Sequence, residues 1–128
     1  MKNLPISQRE KRKLTKYIPE RQDVVWLDFD PSSGEEIKKR RPALVLSNRG
    51  YSELTKLVLV CPITHAKKNQ LKKTGLLIPL AGISEIDGYI NPLQLHTFDY
   101  QSRNISKISE LDDSTFFDVI RIVRDIVD

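Results

Sequence analysis

From Asp23 onward the sequence is a series of short strand-like segments, each bounded by turn-forming residues. Six segments follow one another: DVVWLDF, PALVLS, KLVLVCPIT, GLLIPL, GYINPLQLHTF and SRNISKI. Apolar or alternating runs of this length predict strands, and the Gly, Asn, Asp and Ser between them predict turns. Pro62, Pro79 and Pro92 lie within these segments and predict edges, bends or bulges, because proline cannot donate to a strand ladder. The sequence therefore predicts a mainly β protein with an antiparallel sheet or small barrel.

The chain ends in a predicted amphipathic helix. The segment LDDST offers aspartate caps before FFDVIRIVRDIV, in which Phe116, Ile120, Val123 and Val127 fall on one stripe. We expect this stripe to pack on the sheet, which makes the fold α+β.

Residues 1–21 precede the strand pattern and differ from it in charge. They contain seven Lys and Arg and two Glu, a net charge of +5, whereas the remaining residues sum to −1. Ser7 followed by Glu10 has the form of a capping box, which predicts a short helix. We expect a basic helical extension over residues 1–21 and one domain over residues 22–128, because a chain of 128 residues can build one modest core.

Several classes of function have no signature in this sequence. It contains no phosphate-binding glycine loop, no His and Cys cluster with metal-ligand spacing and no nucleophile elbow. The single cysteine, Cys61, lies in an apolar run and is expected in the core. No run approaches the roughly 20 apolar residues of a membrane span, and the N-terminus lacks the apolar centre of a signal peptide. We expect a cytoplasmic protein that uses no metal and no cofactor.

Two pairs of residues have the chemistry of a functional site, one of an acid–base pair and one of a metal site. His65 and His96 form an acid–base pair only if the fold brings them together. Asp28 and Asp30 share one strand face and carry the oxygen ligands of a metal site. Solvated surface positions explain both pairs more simply.

Basic residues are concentrated in two predicted loops, Lys38 to Arg41 and Lys67 to Lys73, which hold eight Lys and Arg. Local patches of this kind attract phosphate. Arg41 precedes Pro42, whose ring favours an extended backbone for the residue before it. A guanidinium fixed at the start of a strand can present a fork of donors to a phosphate, although a surface salt bridge to Glu35 or Glu36 would explain Arg41 as well.

The same residues carry a resemblance to the MazF/PemK family of toxin endoribonucleases. DVVWLDFDPSSGEEIKKRRPALVLS resembles the opening of the family, LVCPIT its next strand, and DGYINPLQLHT a later strand that contains a glutamine. The resemblance covers residues 21 to the end. It implies a small SH3-like barrel of the PemK/CcdB type with a C-terminal helix, a homodimer, and a type II toxin whose cognate antitoxin inhibits it. The implied activity is metal-independent, sequence-selective cleavage of single-stranded RNA, with mRNA as the expected target and growth inhibition as the result.

By position, the resemblance implies that Arg41 and Thr64 are catalytic and that Glu36 is a functionally important acid. It implies attack by a ribose 2′-hydroxyl, which leaves a 2′,3′-cyclic phosphate and a 5′-hydroxyl. Glu36 and His65 both remain open as acceptors of the 2′-hydroxyl proton, although strand alternation turns His65 away from Thr64. The further residues expected to contact RNA are Glu35, Lys38, Lys39, Arg40, Lys67, Lys68, Gln94, His96 and Thr97.

Two other functions fit the same fold. One is a CcdB-like toxin that binds gyrase, and the other is an RNA-binding module without catalysis. Glu35 and Ile37 depart from the usual family residues, which is the motive for the second alternative. The presence of both Arg41 and Thr64 favours the nuclease.

Overall fold

The structure is a computed structural model that describes residues 17–30, 40–65 and 73–128. In this part of the chain seven strands form one antiparallel sheet, bent into a half-barrel and accompanied by two helices. The strands are β1 (Asp23–Asp28), β2 (Arg40–Val45), β3 (Leu57–Thr64), β4 (Ile78–Pro79), β5 (Tyr89–Ile90), β6 (His96–Asp99) and β7 (Ser106–Glu110). The helices are α1 (Arg49–Thr55) and α2 (Asp113–Val127). The expected α+β architecture with a C-terminal helix is confirmed.

Strand β3 changes partner along its length, and this change shapes the half-barrel. One edge of β3 pairs with β2. Along the other edge, Leu57 to Val60 pair with β6, and Ile63 and Thr64 pair with β5. Pro62 lies between the two partners, and its carbonyl accepts a hydrogen bond of 2.9 Å from the Asn91 backbone nitrogen. A residue without an N–H group suits this position, in agreement with the bend expected there.

The segment GYINPLQLHTF is not one strand, and the sequence expectation is wrong at this point. The segment divides into β5 and β6, separated by a turn at Asn91 and Pro92. The Asn91 side chain accepts a hydrogen bond of 3.0 Å from the Leu93 backbone nitrogen. This local bond stabilises the turn and lets the two halves pair with different parts of β3.

Helix α1 is absent from the sequence expectation, which treated its residues as a turn. Asn48 caps the helix, since its Oδ1 accepts a hydrogen bond of 2.8 Å from the Tyr51 backbone nitrogen. Lys56 ends the helix with a left-handed φ of 63°. The helix has seven residues and buries only Ser52, so it lacks the apolar period by which longer helices are recognised.

Side chains alternate along β1, β2 and β3, and each face of the sheet has its own core. We call the side covered by α2 the helix face; its buried residues include Val24, Leu44, Leu46, Cys61, Ile63, Phe116 and Val119. We call the other side the aromatic face; its buried residues are Val25, Leu27, Ala43, Val45, Val58, Val60, Phe98 and Tyr100. Cys61 is a core residue, as expected, and burial raises the pKa of its thiol to about 12.

Helix α2 packs with three of the four residues of the expected stripe, and Val119 joins them. Phe116 and Val119 are buried, Ile120 and Val123 are partly buried, and Val127 is 73% exposed. The packed stripe therefore ends one turn before the helix does. At the other end, hydrogen bonds from Thr115 lower the pKa of the capping residue Asp112.

The chain enters the sheet through a hydrogen-bonded anchor. The Tyr17 hydroxyl donates to Asp23 Oδ2 at 2.5 Å, and Tyr17 packs against the aromatic face. The helix expected from the Ser7–Glu10 capping box lies outside the described residues, and Tyr17 to Gln22 are not helical. None of the helices described is long and apolar enough to cross a membrane.

Candidate active site

Arg41 and Thr64 lie at the ends of neighbouring strands. Ala43 pairs with Pro62 in the β2–β3 ladder, and continuing this register by two residues sets Arg41 opposite Thr64. Two residues is one full period of a strand, so both side chains lie on the side of Ala43, the aromatic face. The sheet therefore brings together the two residues for which the family resemblance implies a catalytic role.

Both side chains have unused donors. Thr64 Oγ1 is buried and has no hydrogen-bond partner among the residues that the structure describes. The half-buried Arg41 guanidinium likewise forms no ion pair or side-chain hydrogen bond within the described ranges. A buried hydroxyl without a partner costs free energy, which a ligand acceptor at this point would recover.

Arg40 is held quite differently from its neighbour. Its Nη1 lies 3.1 Å from Asp28 Oδ1, and its Nη2 donates to Ser106 Oγ at 2.9 Å. Asp28 is buried and also accepts a hydrogen bond of 2.7 Å from Asn104 Nδ2. Arg40 thus ties β2 to β1 and β7, which fixes the backbone that carries Arg41.

Two adjoining cavities meet at Arg41 and Thr64. The first cavity has a volume of about 380 Å³, and its remaining walls include Trp26, Arg40, His65, Glu85 and Asp87. The second cavity has a volume of about 290 Å³, and its remaining walls are Phe29, Asp30, Pro62, Gln94, His96 and Phe98. A phosphate held by Arg41 and Thr64 would lie between them, with room for a chain on either side.

The second cavity is built around three aromatic rings in mutual contact. The Phe29 ring meets His96 and Phe98 edge-on, with centroid distances of 5.3 and 5.1 Å. His96 and Phe98 stack at 5.5 Å. The Arg103 guanidinium lies 4.4 Å above the Phe98 ring, and its Nη1 donates to the Phe29 carbonyl at 2.5 Å. This aromatic cluster offers a face on which a nucleobase can stack.

The first cavity has a polar wall formed by His65 and Asp87. His65 Nδ1 lies 3.7 Å from Asp87 Oδ1, an ion-pair distance rather than a hydrogen bond. Gly88 holds the Asp87 segment against the end of β3, since a Cβ on Gly88 would lie 2.5 Å from the Thr64 carbonyl oxygen. His65 was expected to turn away from Thr64; because β3 ends here, both residues nevertheless line the same cavity.

The other predicted site residues are distributed as follows. Gln94 and His96 line the second cavity, whereas Thr97 alternates to the other face and lines a separate cavity with Arg21, Ser47 and Tyr51. The structure does not bring Thr97 to Arg41 and Thr64. The residues outside the described ranges are Glu35, Glu36, Lys38, Lys39, Lys67 and Lys68.

The structure forms neither the His65–His96 acid–base pair nor the Asp28–Asp30 metal site that the sequence allowed. His65 and His96 line different cavities. Asp28 is bonded to Arg40 and Asn104, while Asp30 lies in the second cavity. No group of three His, Cys, Asp or Glu that could hold a metal occurs among the residues described.

Four residues of the site were missed by the sequence reasoning: Phe29, Asp87, Phe98 and Arg103. Phe29 and Phe98 have the signature of ordinary strand residues, and their contact depends on β1 and β6 meeting across the aromatic face. Arg103 and Asp87 belong to turns. Only the segments DFDP and DGYINPLQLHT, which the resemblance already included, mark Phe29 and Asp87 in the sequence.

An arginine and a buried hydroxyl that line the same cavities of a small barrel, next to aromatic rings, form an arrangement suited to binding a nucleic-acid phosphate. Comparison with known proteins identifies the family. The sequence profile of the family described as PemK-like, MazF-like toxin of type II toxin-antitoxin system matches residues 20–127. The Escherichia coli K12 protein Endoribonuclease toxin MazF is 33% identical over 94 residues, which cover 73% of this chain and 80% of that protein.

Solved structures give the same result. The crystal structure of MazF from Deinococcus radiodurans matches with a TM-score of 0.73 at 28% identity, over 87% of this chain and 97% of that chain. The MazE–MazF crystal structure from the same organism matches with a TM-score of 0.74 at 27% identity, over 87% and 97%. The chain belongs to the PemK-like, MazF-like toxins of type II toxin–antitoxin systems, and its class is that of the endoribonuclease toxins.

Proposed function

We propose that this protein cleaves single-stranded RNA at a phosphate bound between Arg41 and Thr64. The observation that carries the proposal is that Arg41 and Thr64 line the same two cavities, and that neither side chain has an ion pair or a hydrogen-bond partner among the described residues. The substrate is mRNA in the cytoplasm, and its loss inhibits growth.

The chemistry follows from where negative charge develops. When a ribose 2′-hydroxyl attacks the adjacent phosphate, charge accumulates on the non-bridging oxygens of phosphorus. The Arg41 guanidinium and the Thr64 hydroxyl are donors to these oxygens and stabilise the transition state. The P–O5′ bond breaks, leaving a 2′,3′-cyclic phosphate and a 5′-hydroxyl. Because protein donors supply this stabilisation, the reaction as proposed needs no metal.

The second cavity supplies the binding site for a neighbouring nucleotide. Its aromatic cluster provides the stacking surface that single-stranded RNA binders use, and Gln94 provides an amide that can pair with a base edge. Lys38 and Lys39 immediately precede β2, and Lys67 and Lys68 follow the end of β3, so the two basic loops flank the phosphate site in sequence. We assign them to the RNA backbone, together with Glu35 and the acid Glu36 in the same loop.

Two protein partners complete the proposal: a second copy of the chain and a cognate antitoxin. The MazE–MazF structure from Deinococcus radiodurans supports the antitoxin. A homodimer would also cover sheet edges of this small barrel. Light scattering of the purified chain tests the dimer. Co-purification with the product of the adjacent gene tests the antitoxin.

The test of function is cleavage of a long RNA in the presence of excess chelator, with analysis of the product ends. We expect discrete cuts and cyclic-phosphate ends. Uncut RNA together with inhibition of gyrase would identify the CcdB-like alternative. RNA that is bound but not cut would identify the non-catalytic one.

A further inference from the structure

The first cavity contains an acid–base pair that the roles of Arg41 and Thr64 leave unused. The side chains of His65 and Asp87 are 77% and 89% exposed, and they lie 3.7 Å apart between Nδ1 and Oδ1. Both line the cavity that also contains Arg41 and Thr64. Attack by a 2′-hydroxyl requires a proton acceptor, a role to which neither a guanidinium nor an aliphatic hydroxyl is suited near neutral pH.

We infer that His65, oriented by Asp87, accepts the proton of the attacking 2′-hydroxyl. This inference rests on the proposed function, since it adds a third catalytic residue to the same reaction. Imidazole is the side chain that most often performs this role, because it exchanges protons between pH 5 and 8. Asp87 is then a positioning residue, which acts through His65.

The backbone around the pair is built to keep the two side chains together. Thr64 pairs with Tyr89 at the last position of the β3–β5 ladder, so His65 and Asp87 lie just beyond the paired residues, across the same ladder. Gly88 approaches the Thr64 carbonyl so closely that no side chain fits there. The segment carrying Asp87 is thus pressed against the end of β3.

The charges around His65 suit a group that becomes positive during the reaction. Asp87 and Glu85 face it from the segment before β5, and Arg41 and Arg40 face it from β2. The two carboxylates stabilise an imidazolium as it forms. Arg40 is already bonded to Asp28, and Arg41 would be engaged by the phosphate. Apart from these residues, no charged side chain lines the described walls of the first cavity.

The proton balance of the step is complete. Because Nδ1 faces Asp87, Nε2 is the nitrogen that takes the 2′-hydroxyl proton. The 2′-oxygen forms its bond to phosphorus, the P–O5′ bond breaks, and the 5′-oxygen takes a proton from water. His65 then releases its proton to solvent, to which its side chain is open.

The test compares single-turnover cleavage by the wild type, His65→Ala and Asp87→Asn between pH 5 and 9. Removal of a general base lowers rates by about 10²–10⁴-fold, so we expect His65→Ala to lose at least about 10²-fold and also the rise in rate from acid to neutral pH. Free imidazole in the buffer should restore part of that loss. Asp87→Asn should lower the rate by about 10-fold while RNA binding is unchanged. The matched control is Arg124→Ala, on the exposed side of α2.

Each contrary result has its own meaning. Wild-type protein that fails to cut RNA overturns the proposed function and this inference with it. Cleavage by the wild type and by His65→Ala at equal rates, with equal pH profiles, overturns the inference alone. A third arm uses RNA with a 5′-bridging sulfur, whose leaving group needs no proton. If His65→Ala cuts this RNA as fast as the wild type does, His65 serves the leaving group, and its assignment as the base is wrong.

Discussion

Arg41 and Thr64 line the same two cavities, and each lies two residues beyond the Ala43–Pro62 pair at which the β2–β3 ladder ends. Neither side chain belongs to either buried core, and neither has an ion pair or side-chain hydrogen bond with another described residue. Their placement therefore depends on backbone register and not on their own contacts. Substitutions at these two positions should therefore lower the cleavage rate without lowering the free energy of unfolding.

Thr64→Val is the sharpest test of that separation. The substitution keeps the side-chain shape and removes a buried hydroxyl that has no partner among the described residues, so the free energy of unfolding should stay the same or rise. The cleavage rate should fall by about 10²–10³-fold, as for loss of one preorganised donor. Urea unfolding and single-turnover cleavage measure the two quantities. A variant that cuts RNA at the wild-type rate would remove Thr64 from the mechanism.

Arg41→Ala should mainly lower the cleavage rate, whereas Arg40→Ala should mainly lower the free energy of unfolding, although the two residues are adjacent. Arg41→Ala should lower cleavage by about 10²–10³-fold and change the free energy of unfolding by no more than about 0.5 kcal/mol. Arg40→Ala removes a charged hydrogen bond from buried Asp28, which should cost about 1–3 kcal/mol of unfolding free energy. Arg41→Lys keeps the charge but not the planar fork, and should also cut slowly. Equal stability losses for the two alanine variants would contradict this distinction.

Phe29→Leu should weaken RNA binding more than it weakens the fold. The change retains an apolar side chain but removes the ring that meets His96 and Phe98. Loss of a stacking ring costs about 1–3 kcal/mol of binding free energy. Fluorescence anisotropy with an uncleavable RNA that carries 2′-methoxy groups measures the binding free energy. Phe117→Leu, on the exposed side of α2, is the control and should bind normally.

Gly88→Ala should damage both stability and cleavage, because the new Cβ would lie 2.5 Å from the Thr64 carbonyl oxygen at a φ of 140°. Strained backbone of this kind costs about 1–3 kcal/mol. Gly82→Ala is the matched control, since Gly82 also has a positive φ but nothing within 4 Å of the new Cβ. Thermal unfolding of both variants isolates the steric contact. A Gly88 variant no less stable than the Gly82 variant would show that the close approach is unimportant.

The difference in unfolding free energy between the wild type and Tyr17→Phe should depend on pH, because it reports the hydrogen bond between Tyr17 and Asp23. Burial, and then the hydrogen bond to Asp23, raise the pKa of Tyr17 well above its usual value of 10.0. A raised folded-state pKa contributes stability that is fully present below pH 10 and is lost as the pH rises towards the folded-state value. The wild type should therefore exceed Tyr17→Phe by about 1–3 kcal/mol at pH 7. Urea unfolding at pH 7 and pH 10.5 should show this advantage shrinking, and an advantage independent of pH would contradict the assignment.

The residue pattern predicted most of the strand segments and the terminal helix, and the family resemblance identified Arg41 and Thr64 as the residues to examine. Strand runs of β-branched residues and turn residues are local signals, and Arg41 before Pro42 is one as well. The family resemblance extended these signals across most of the chain. These signals can be recognised without knowing which strands pair in the folded protein.

Which residues share a surface is set by how the strands pair and bend in the folded protein. The partner change of β3 at Pro62 split one expected strand into β5 and β6, because pairing with two places on a bent strand outweighs local strand propensity. The folded sheet also brought Phe29 to His96 and Asp87 to His65. It also left Thr97 in another cavity, since successive residues of a strand point to opposite faces. Contacts between residues distant in the chain depend on pairing and register across the whole sheet, which no local sequence pattern specifies.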